Sequence, residues 1–326
     1  MIKWNNNLDT TRIELLNSGY SYKETANIMS NKYNLNITYK SVKNRSERTK
    51  TTIKNLNENI ISFNPIKNYI QELKDIYNYF YNLDINKILV LSDLHCPYVN
   101  VDFINTAINE NKDAELCILN GDILDCSSFS KYDNEYDFSI TKELKIAKKI
   151  FDKLSKTFKH IIYIKGNHEK RFEKFINNLP LKNNKNYFSN ITNPMYNLSK
   201  QYKNVIFVDN YFIQLFDIIF AHPANYSTGI LKTVNNVNLD MKSKREILPN
   251  KDYKAVIIGH THQLGNAFTE DNIYIAETGC MCNLQPYKYT NSNKTMWQPG
   301  YMVINIKNKK IDINNSKLYY LEYDYK

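Results

Sequence analysis

Residues 88–95 read Ile-Leu-Val-Leu-Ser-Asp-Leu-His, an apolar run that ends in an aspartate and a histidine. Four further apolar runs along the chain are followed by similar polar residues. These runs and the motifs after them are 116–119 before Gly121-Asp122, 161–164 before Gly166-Asn167-His168, 218–220 before His222, and 255–258 before Gly259-His260-Thr261-His262. Short runs rich in β-branched residues predict buried strands, and ligand sites of α/β sheets lie at the carboxyl ends of strands. The pattern therefore predicts an α/β domain that carries a metal site.

The bulk composition sets the class of protein. A chain of 326 residues with 42% hydrophobic residues has room for a large domain and a small one. No stretch approaches the roughly 18 uncharged residues that a transmembrane helix needs, so we expect no membrane partner. The start at Met1 lacks the apolar segment of an export signal, and the five cysteines show no disulfide-framework spacing. We therefore expect a cytoplasmic protein with reduced thiols.

Positive charge is concentrated near the N-terminus. The net charge of +10 could follow from AT-rich codons alone, because Lys, Asn, Ile and Tyr are abundant throughout. Residues 39–54, however, hold six cations against one anion. Three helical patterns lie in this part of the chain: one over 8–17, one that Ser21 and Glu24 open as a capping box, and one that begins near Thr38. Two short helices followed by a basic one fit a helix-turn-helix, whose last helix would lie in the major groove of DNA.

The third predicted helix is the candidate DNA-binding element. Residues 37–45 resemble the recognition helices of small bacterial and phage regulators. The candidate DNA contacts are Lys40, Lys43, Asn44, Arg45 and Arg48, and the last four are expected at exposed positions. A three-helix packing or protein-binding module with a solvated basic face fits the same pattern. DNA binding and protein binding are therefore both open for this region.

The patterns divide the chain into three parts. Residues 1–58 form the predicted helix-turn-helix-like domain. Residues 59–84 form a linker and a helix that Asn64 and Pro65 would open, with apolar residues spaced for packing on the main domain. Residues 85–326 form the main domain, in which apolar strand patterns alternate with helical ones.

Taken together, the five motifs resemble the metallophosphoesterases, also called calcineurin-like phosphoesterases. The resemblance covers about residues 85–306, with all five blocks present in order. It implies a four-layer α/β/β/α sandwich in which two mixed sheets face each other, beside the small all-α N-terminal domain. The alternation of strands and helices alone says only α/β. The resemblance also implies an enzyme, a metal-dependent hydrolase of phosphate esters.

A ligand set for two divalent ions follows from the same resemblance. The first ion would be held by Asp93, His95, Asp122 and His262, and the second by Asp122, Asn167, His222 and His260. Asp122 would bridge the ions, and a hydroxide between them would attack phosphorus. Carboxylate, imidazole and amide ligands favour manganese here, with iron, zinc, cobalt and nickel as alternatives. His168 would face the leaving-group oxygen as the catalytic acid.

Several neighbouring residues allow more than one interpretation. Glu169 could orient the imidazole of His168 or favour the start of a helix through the helix dipole. Asp125 matches a second family aspartate but is more typical of a turn or of support for a ligand. Arg171 could reach a phosphate, although a solvated helix face is the favoured interpretation. Cys126 stands where the phosphoprotein phosphatases of the family carry an arginine, which disfavours that branch.

Three functions are compatible with the sequence. The favoured one is a phosphodiesterase or nuclease that acts on DNA, with the N-terminal domain bringing the substrate to the site. The second is a phosphatase or phosphodiesterase of a small phosphorylated molecule such as a nucleotide, which needs only the catalytic domain. The third is a DNA-binding regulator with a vestigial catalytic domain. It ranks last because every expected ligand and the acid His168 are present.

Overall fold

The computed structural model describes residues 8, 11–12, 15–16, 21–46, 65–130, 139–180, 193–284 and 296–322. The chain divides into two compact units, Met1–Tyr69 and Ile70–Lys326. The first unit contains α1 (Tyr22–Tyr33) and α2, the helical residues 39–46. Among the described residues, none of the helices combines the length and hydrophobicity that crossing a bilayer requires.

Two helix caps and a small apolar core define the first unit. Ser21 Oγ accepts a hydrogen bond from Glu24 N at 3.3 Å, and Glu24 Oε2 accepts one from Ser21 N at 2.8 Å. At the start of α2, Thr38 Oγ1 accepts from Ser41 N at 3.2 Å. The buried core residues are Leu8, Ala26, Met29, Ile37 and Val42. The predicted capping box and the predicted N-cap are both confirmed.

Eleven strands and several helices build the remainder of the described chain. The strands are β1 (Lys87–Leu91), β2 (Leu116–Asn120), β3 (His160–Ile164), β4 (Val205–Val208), β5 (Phe212–Leu215), β6 (Ile218–Ala221), β7 (Ala255–Ile258), β8 (Leu264–Phe268), β9 (Tyr274–Thr278), β10 (Gly300–Lys307) and β11 (Lys310–Tyr320). The helices are α3 (Pro65–Tyr81), α4 (Val101–Glu110), α5 (Ile140–Thr157), α6 (Glu169–Asn178), α7 (Pro194–Ser199) and α8 (Lys232–Ser243). Each of the five apolar runs that the sequence analysis singled out forms a strand.

The strands form two mixed sheets. The six-stranded sheet has the order β11-β10-β1-β2-β3-β4, with β1 to β4 parallel and β10 antiparallel to both of its neighbours. The five-stranded sheet has the order β5-β6-β7-β9-β8, with β6, β7 and β9 parallel and the two edge strands antiparallel. The parallel strands of each sheet therefore bring their carboxyl ends to a common edge.

Side chains from the two sheets share one buried cluster. Val90 of the first sheet and Phe220 of the second belong to it, and Phe80 of α3 packs into the same cluster. On the outer face of the first sheet, Leu91 packs in a second cluster with Phe151 of α5. Helix α8 lies against β7 and β9 of the second sheet. The order helix, sheet, sheet, helix confirms the predicted four-layer sandwich, and burial on both faces explains why the strands are almost wholly apolar.

All the cysteines are free thiols. Cys96, Cys117, Cys126, Cys280 and Cys282 are each buried, and none forms a disulfide. Cys117 packs as a small apolar side chain, because burial raises the pKa of its thiol, whereas at Cys280 the effect of burial is outweighed by contacts with Cys282 and His262, which lower the pKa of that thiol to about 6. The pairing state agrees with the reduced cysteines that the sequence predicted.

Candidate metal centre

The predicted motif residues follow the carboxyl ends of parallel strands in both sheets. Among the described residues, four groups of side chains bring three possible ligand atoms within 4.8 Å of one another, and two of these groups consist entirely of predicted ligands. These two are Asp93 with His95 and His262, and Asp122 with His222 and His260. The other two are His95 with Asp125 and His168, and His262 with Cys280 and Cys282. Each of the first two groups combines residues that follow strands of the first sheet with residues that follow strands of the second. The structure thus places six of the seven predicted ligands in two neighbouring groups, and their roles as metal ligands stay a prediction.

The ligand atoms within each group lie close enough together to bind one ion. His262 Nε2 lies 3.2 Å from Asp93 Oδ1 and 3.0 Å from His95 Nε2. In the second group, His222 Nε2 lies 3.1 Å from Asp122 Oδ2. That same Asp122 oxygen is 3.8 Å from His95 Nε2. The Asp122 carboxylate therefore faces both groups, as a bridging ligand must.

Hydrogen bonds on the outer nitrogens orient two of the imidazoles. His222 Nδ1 lies 2.7 Å from the carbonyl oxygen of Asn120, which can only accept, so Nδ1 is the donor. His222 Nε2 then faces the site and lies 3.1 Å from Asn167 Oδ1. His95 Nδ1 lies 3.0 Å from Asp125 Oδ1. Such outer contacts fix the tautomer and ring direction of metal-binding histidines.

One unpartnered nitrogen atom tests whether the residues fit a metal. Nε2 of His260 is buried and has no hydrogen-bond partner among the described residues. A buried polar atom without a partner costs about 1–3 kcal/mol. Burial also lowers the pKa of His260 to about 4, so its ring is neutral and keeps a lone pair for a ligand bond. With carboxylate, imidazole and amide oxygen donors present, the residues fit divalent transition ions.

The pKa shifts of four candidate ligands favour positive charge at the site. Burial raises the pKa of Asp93, but the imidazoles of His262 and His95 bring it below its usual range. Burial opposes protonation of His95, yet hydrogen bonds to Asp125 and Asp93 raise its pKa to about 10. The pKa of His222 and that of His262 are each raised to about 9 by nearby groups, again against burial. Divalent ions that bind here displace these protons, which makes metal affinity depend on pH.

The backbone holds the candidate ligands in an unusual conformation. Asp93, His95, Asp122, His260 and His262 have φ values of 54°, 45°, 52°, 82° and 56°. Left-handed backbone costs a non-glycine residue about 1 kcal/mol or more and persists only where the surroundings enforce it. One such constraint is the His260 N–H, which approaches both carboxylate oxygens of Asp93 at 3.1 and 2.9 Å. The surrounding fold therefore sets the direction of these side chains.

Two glycines are required by the close packing of this centre. A Cβ on Gly121, whose φ is +84°, would lie 2.1 Å from His222 Nδ1. A Cβ on Gly166 would lie 2.1 Å from Asp122 Oδ1. These positions sit beside candidate ligands, so any larger residue would displace a ligand.

His168 lies beside the two groups without belonging to either. Its backbone N–H donates to Asp122 Oδ1 at 2.8 Å. Its Nδ1 lies 2.9 Å from the Asp125 carbonyl oxygen and 3.2 Å from Asp125 Oδ1. Burial lowers the pKa of His168, and the charge of Asp122 opposes that shift. Asp125 thus contacts both His95 and His168, which agrees with the interpretation of Asp125 as support for a ligand.

Glu169 has a role that neither sequence-based interpretation described. Its buried carboxylate accepts five hydrogen bonds of 2.7 to 3.2 Å. The donors are the backbone N–H groups of Asp122, Ile123, Leu124 and Gly166 and the hydroxyl of Tyr163. Glu169 therefore holds the loop after β2 against the loop after β3. The only signal in the sequence was an acidic residue directly after His168.

Arg171 and two aromatic rings complete the surroundings. Arg171 Nη2 lies 3.0 Å from His168 Nε2, so the favoured interpretation of this arginine as a solvated helix face is wrong. The ring of Trp297 lies 4.2 Å from that of His262, measured between centroids. The ring of Tyr226 lies 6.3 Å from that of His260 and is part of a side chain that is 48% exposed. Neither aromatic residue was singled out by the sequence analysis.

The candidate DNA contacts of the first unit are only partly accessible. Lys40 and Asn44 are exposed, as a DNA contact requires. Lys43 and Arg45 are half-buried, which corrects the expectation that both are exposed. Around the helix axis, Lys43 is about 100° and Arg45 about 60° from the buried Val42, so both lie next to the buried side of α2. Arg48 lies outside the described residues.

The fold and the two ligand groups define a dinuclear metal-dependent hydrolase. The family model of the calcineurin-like phosphoesterases matches residues 86–264, more than half of the chain. The chain therefore belongs to the calcineurin-like phosphoesterase family, whose members hydrolyse phosphate esters with the help of metal ions. No curated protein matches the sequence.

Solved structures with a similar fold share little sequence with this chain. Vps29 from Entamoeba histolytica, solved with Zn²⁺, is 11% identical with a TM-score of 0.36, covering 72% of this chain and 98% of its own. A predicted phosphoesterase from Streptococcus pneumoniae is 14% identical with a TM-score of 0.31, covering 73% and 99%. A serine/threonine phosphatase from Saccharomyces cerevisiae is 11% identical with a TM-score of 0.37, covering 79% and 90%. Similarity at this level carries no information about the substrate.

Proposed function

We propose that this protein is a phosphodiesterase that cleaves nucleic acid, with DNA as the favoured substrate. Two divalent ions, manganese by preference, would be held by Asp93, His95, Asp122 and His262 and by Asp122, Asn167, His222 and His260. The observation that carries the proposal is the Asp122 carboxylate, which lies 3.1 Å from His222 Nε2 and 3.8 Å from His95 Nε2 and so faces both groups. Two ions that share one ligand are suited to in-line displacement at phosphorus.

The chain's own groups would direct the reaction. Bound divalent ions supply charge neutralisation at the phosphoryl group and activation of water. His168 Nδ1 donates to the Asp125 carbonyl oxygen, which turns Nε2 toward the site. Nε2 of His168 accepts a hydrogen bond from Arg171 and therefore carries no proton in this arrangement. Once released from Arg171 and protonated from solvent, Nε2 would donate that proton to the leaving-group oxygen as its bond to phosphorus breaks. Glu169 holds Asp122 and His168 at a fixed separation, because its Oε2 accepts hydrogen bonds from the backbone N–H groups of Asp122 and Gly166.

Two features support nucleic acid as the substrate. Tyr226 presents a half-exposed ring near His260, and aromatic rings of this kind stack on nucleobases. In the first unit, the exposed Lys40 and Asn44 offer a cation and an amide for contacts to the DNA backbone and bases. Both features fit a chain of nucleotides better than an isolated phosphate.

A small phosphorylated molecule such as a nucleotide is the second candidate substrate. It is favoured by one observation: every candidate ligand and His168 belong to the second unit. The hydrolytic chemistry therefore requires nothing from the first unit. A DNA-binding regulator with a vestigial catalytic domain is disfavoured, because the ligand groups and His168 are intact.

A substrate panel tests the proposal. The purified full chain with Mn²⁺ is given bis-p-nitrophenyl phosphate, p-nitrophenyl phosphate, a nucleotide, and single- and double-stranded DNA. We expect diester and DNA cleavage that the Asp122→Asn variant lacks, since that variant loses the bridging carboxylate. Monoester or nucleotide turnover without DNA cleavage would refute the nuclease proposal and favour the second candidate.

DNA binding by the first unit has its own test. We expect the full chain to bind duplex DNA with a strong salt dependence, and Lys40→Gln to reduce the slope of log K against log salt by about 1. Lys23→Gln removes an equal charge from an exposed position on α1 and serves as the matched control. Equal binding by both variants and the unmodified chain would exclude α2 as a DNA contact.

A further inference from the structure

Arg171 reaches the imidazole of His168 from the first turn of α6. Its Nη2 lies 3.0 Å from His168 Nε2, and its Nη1 donates to the Asp125 carbonyl oxygen at 2.9 Å. A guanidinium only donates hydrogen bonds, so His168 Nε2 is the acceptor in the first contact. The nitrogen that would face a leaving group is thus covered by a cation of the protein itself.

The charge of Arg171 is not matched by a directly bonded carboxylate in the described residues. The nearest carboxylate oxygen, Asp125 Oδ2, lies 4.0 Å from Nη1, beyond hydrogen-bond distance, and the side chain is 24% exposed. The two contacts to His168 and Asp125 use two of the five N–H groups of a guanidinium. A partly buried guanidinium with donors to spare at the rim of the site is suited to bind an anion.

The backbone of Arg171 is fixed even though the end of its side chain is accessible. Its N–H donates to the His168 carbonyl oxygen at 2.9 Å. Glu169, two residues earlier on the same helix, is anchored by its hydrogen bonds to the loops after β2 and β3. The guanidinium can therefore change its partner through side-chain rotation alone, without movement of α6.

Cys126, by contrast, contributes no positive charge to the site. It occupies the place of the arginine in the phosphoprotein phosphatases, but its side chain is a fully buried neutral thiol. Its backbone N–H is held by Glu143 Oε2 at 2.7 Å. A guanidinium that contacts the phosphoryl group must come from another position in this chain, and Arg171 already reaches the imidazole beside that group.

Building on the proposed phosphoesterase function, we propose that Arg171 is a substrate-binding residue for a non-bridging phosphoryl oxygen. On binding, its Nη2 donor moves from His168 Nε2 to the phosphoryl oxygen. His168 Nε2 is then free to take up a proton from solvent and to donate it to the leaving-group oxygen. The exchange replaces one hydrogen bond of Nη2 by a charge-assisted one, and the planar guanidinium matches the geometry of a phosphate.

Binding of inorganic phosphate tests this role without requiring turnover. The Mn²⁺-loaded full chain and the variants Arg171→Gln, Arg171→Lys and Lys174→Gln are titrated calorimetrically with phosphate, and the bound metal is counted. Lys174 is exposed on the same helix and controls for the loss of one charge. We expect Arg171→Gln to weaken phosphate binding about tenfold or more, about 1.4 kcal/mol, with unchanged metal content. Arg171→Lys should recover part of the loss, and Lys174→Gln should stay within about twofold.

Two results would overturn the assignment. One is phosphate binding by Arg171→Gln within about twofold of the unmodified chain. The other is a loss of ester turnover in Arg171→Gln with full phosphate affinity, which would make Arg171 a positioning residue that acts through His168. If the unmodified chain cleaves no ester, the proposed function fails, whereas the phosphate titration still decides whether Arg171 binds the anion.

Discussion

Replacing Glu169 by glutamine is expected to destabilise the protein by about 4 kcal/mol. The carboxylate oxygen Oε1 accepts from Ile123 N, Leu124 N and the Tyr163 hydroxyl, while Oε2 accepts from Asp122 N and Gly166 N. Glutamine can preserve the contacts of one oxygen but presents an NH₂ group in place of the other. With Oε1 retained, two buried N–H donors would lose their acceptor, at about 1–3 kcal/mol each. The loss is a large fraction of the 5–15 kcal/mol that typically separates folded from unfolded domains.

Urea unfolding of the metal-free protein measures this loss apart from any effect on metal binding. The midpoint for Glu169→Gln should fall while the slope with urea stays constant. Glu173→Gln on the same helix is the matched control. Glu173 accepts a 2.7 Å bond from Lys165 and is 27% exposed, so its replacement should cost at most about 1 kcal/mol. A Glu169→Gln protein within about 1 kcal/mol of the unmodified chain would refute the assignment of Glu169 as the tie between the two loops.

Further substitutions address the acid, the glycine packing and the response to pH. His168→Asn should lower kcat by about 10²–10⁴ with unchanged metal content, because His168 is predicted to act as the acid and not as a metal ligand; metal loss would contradict this. Gly121→Ala would place a Cβ 2.1 Å from His222 Nδ1 and should lower the bound metal per chain, whereas Gly229→Ala, with no atom nearer than 3.8 Å, should not. Burial lowers the pKa of His160 from 6.5, so the folded state binds fewer protons than the unfolded state. The associated stability is present above about pH 6.5 and is lost as the pH falls through the folded pKa, and unfolding curves of His160→Gln should show a weaker pH dependence there.

The strands and the candidate ligands were predictable because their signals are local. A short apolar run such as 88–91 is typical of a buried strand, and the polar residue after it then lies at the edge of the sheet. The resemblance of the motifs to those of the metallophosphoesterases then implied both ligand groups. The sequence could not give the order of the strands, in which β10 and β11 from the end of the chain lie beside β1. Such pairing depends on contacts between distant segments and leaves no periodic pattern.

The roles of Glu169 and Arg171 could not be predicted from the sequence, because they depend on contacts that leave no sequence pattern. Four of the five donors to Glu169 are backbone N–H groups, which every non-proline residue possesses, so no residue type identifies them. Arg171 lies on a helix whose exposed side favours charged residues in any case. Only the position of its guanidinium, 3.0 Å from His168 Nε2, separates a functional cation from a solvated one. Lys43 and Arg45 illustrate the opposite error, since residues predicted to be exposed are half-buried.

Each ligand group joins residues that follow strands of both sheets, as in the approach of His262 to Asp93. An ion bound there would act as a cross-link between two layers that are otherwise joined by apolar contacts and a few hydrogen bonds such as that of His260 N to Asp93. Separation of the sheets would then require release of the ions. Bound ions should consequently raise the free energy of unfolding of this unit, and their removal by a chelator should lower the midpoint of urea unfolding.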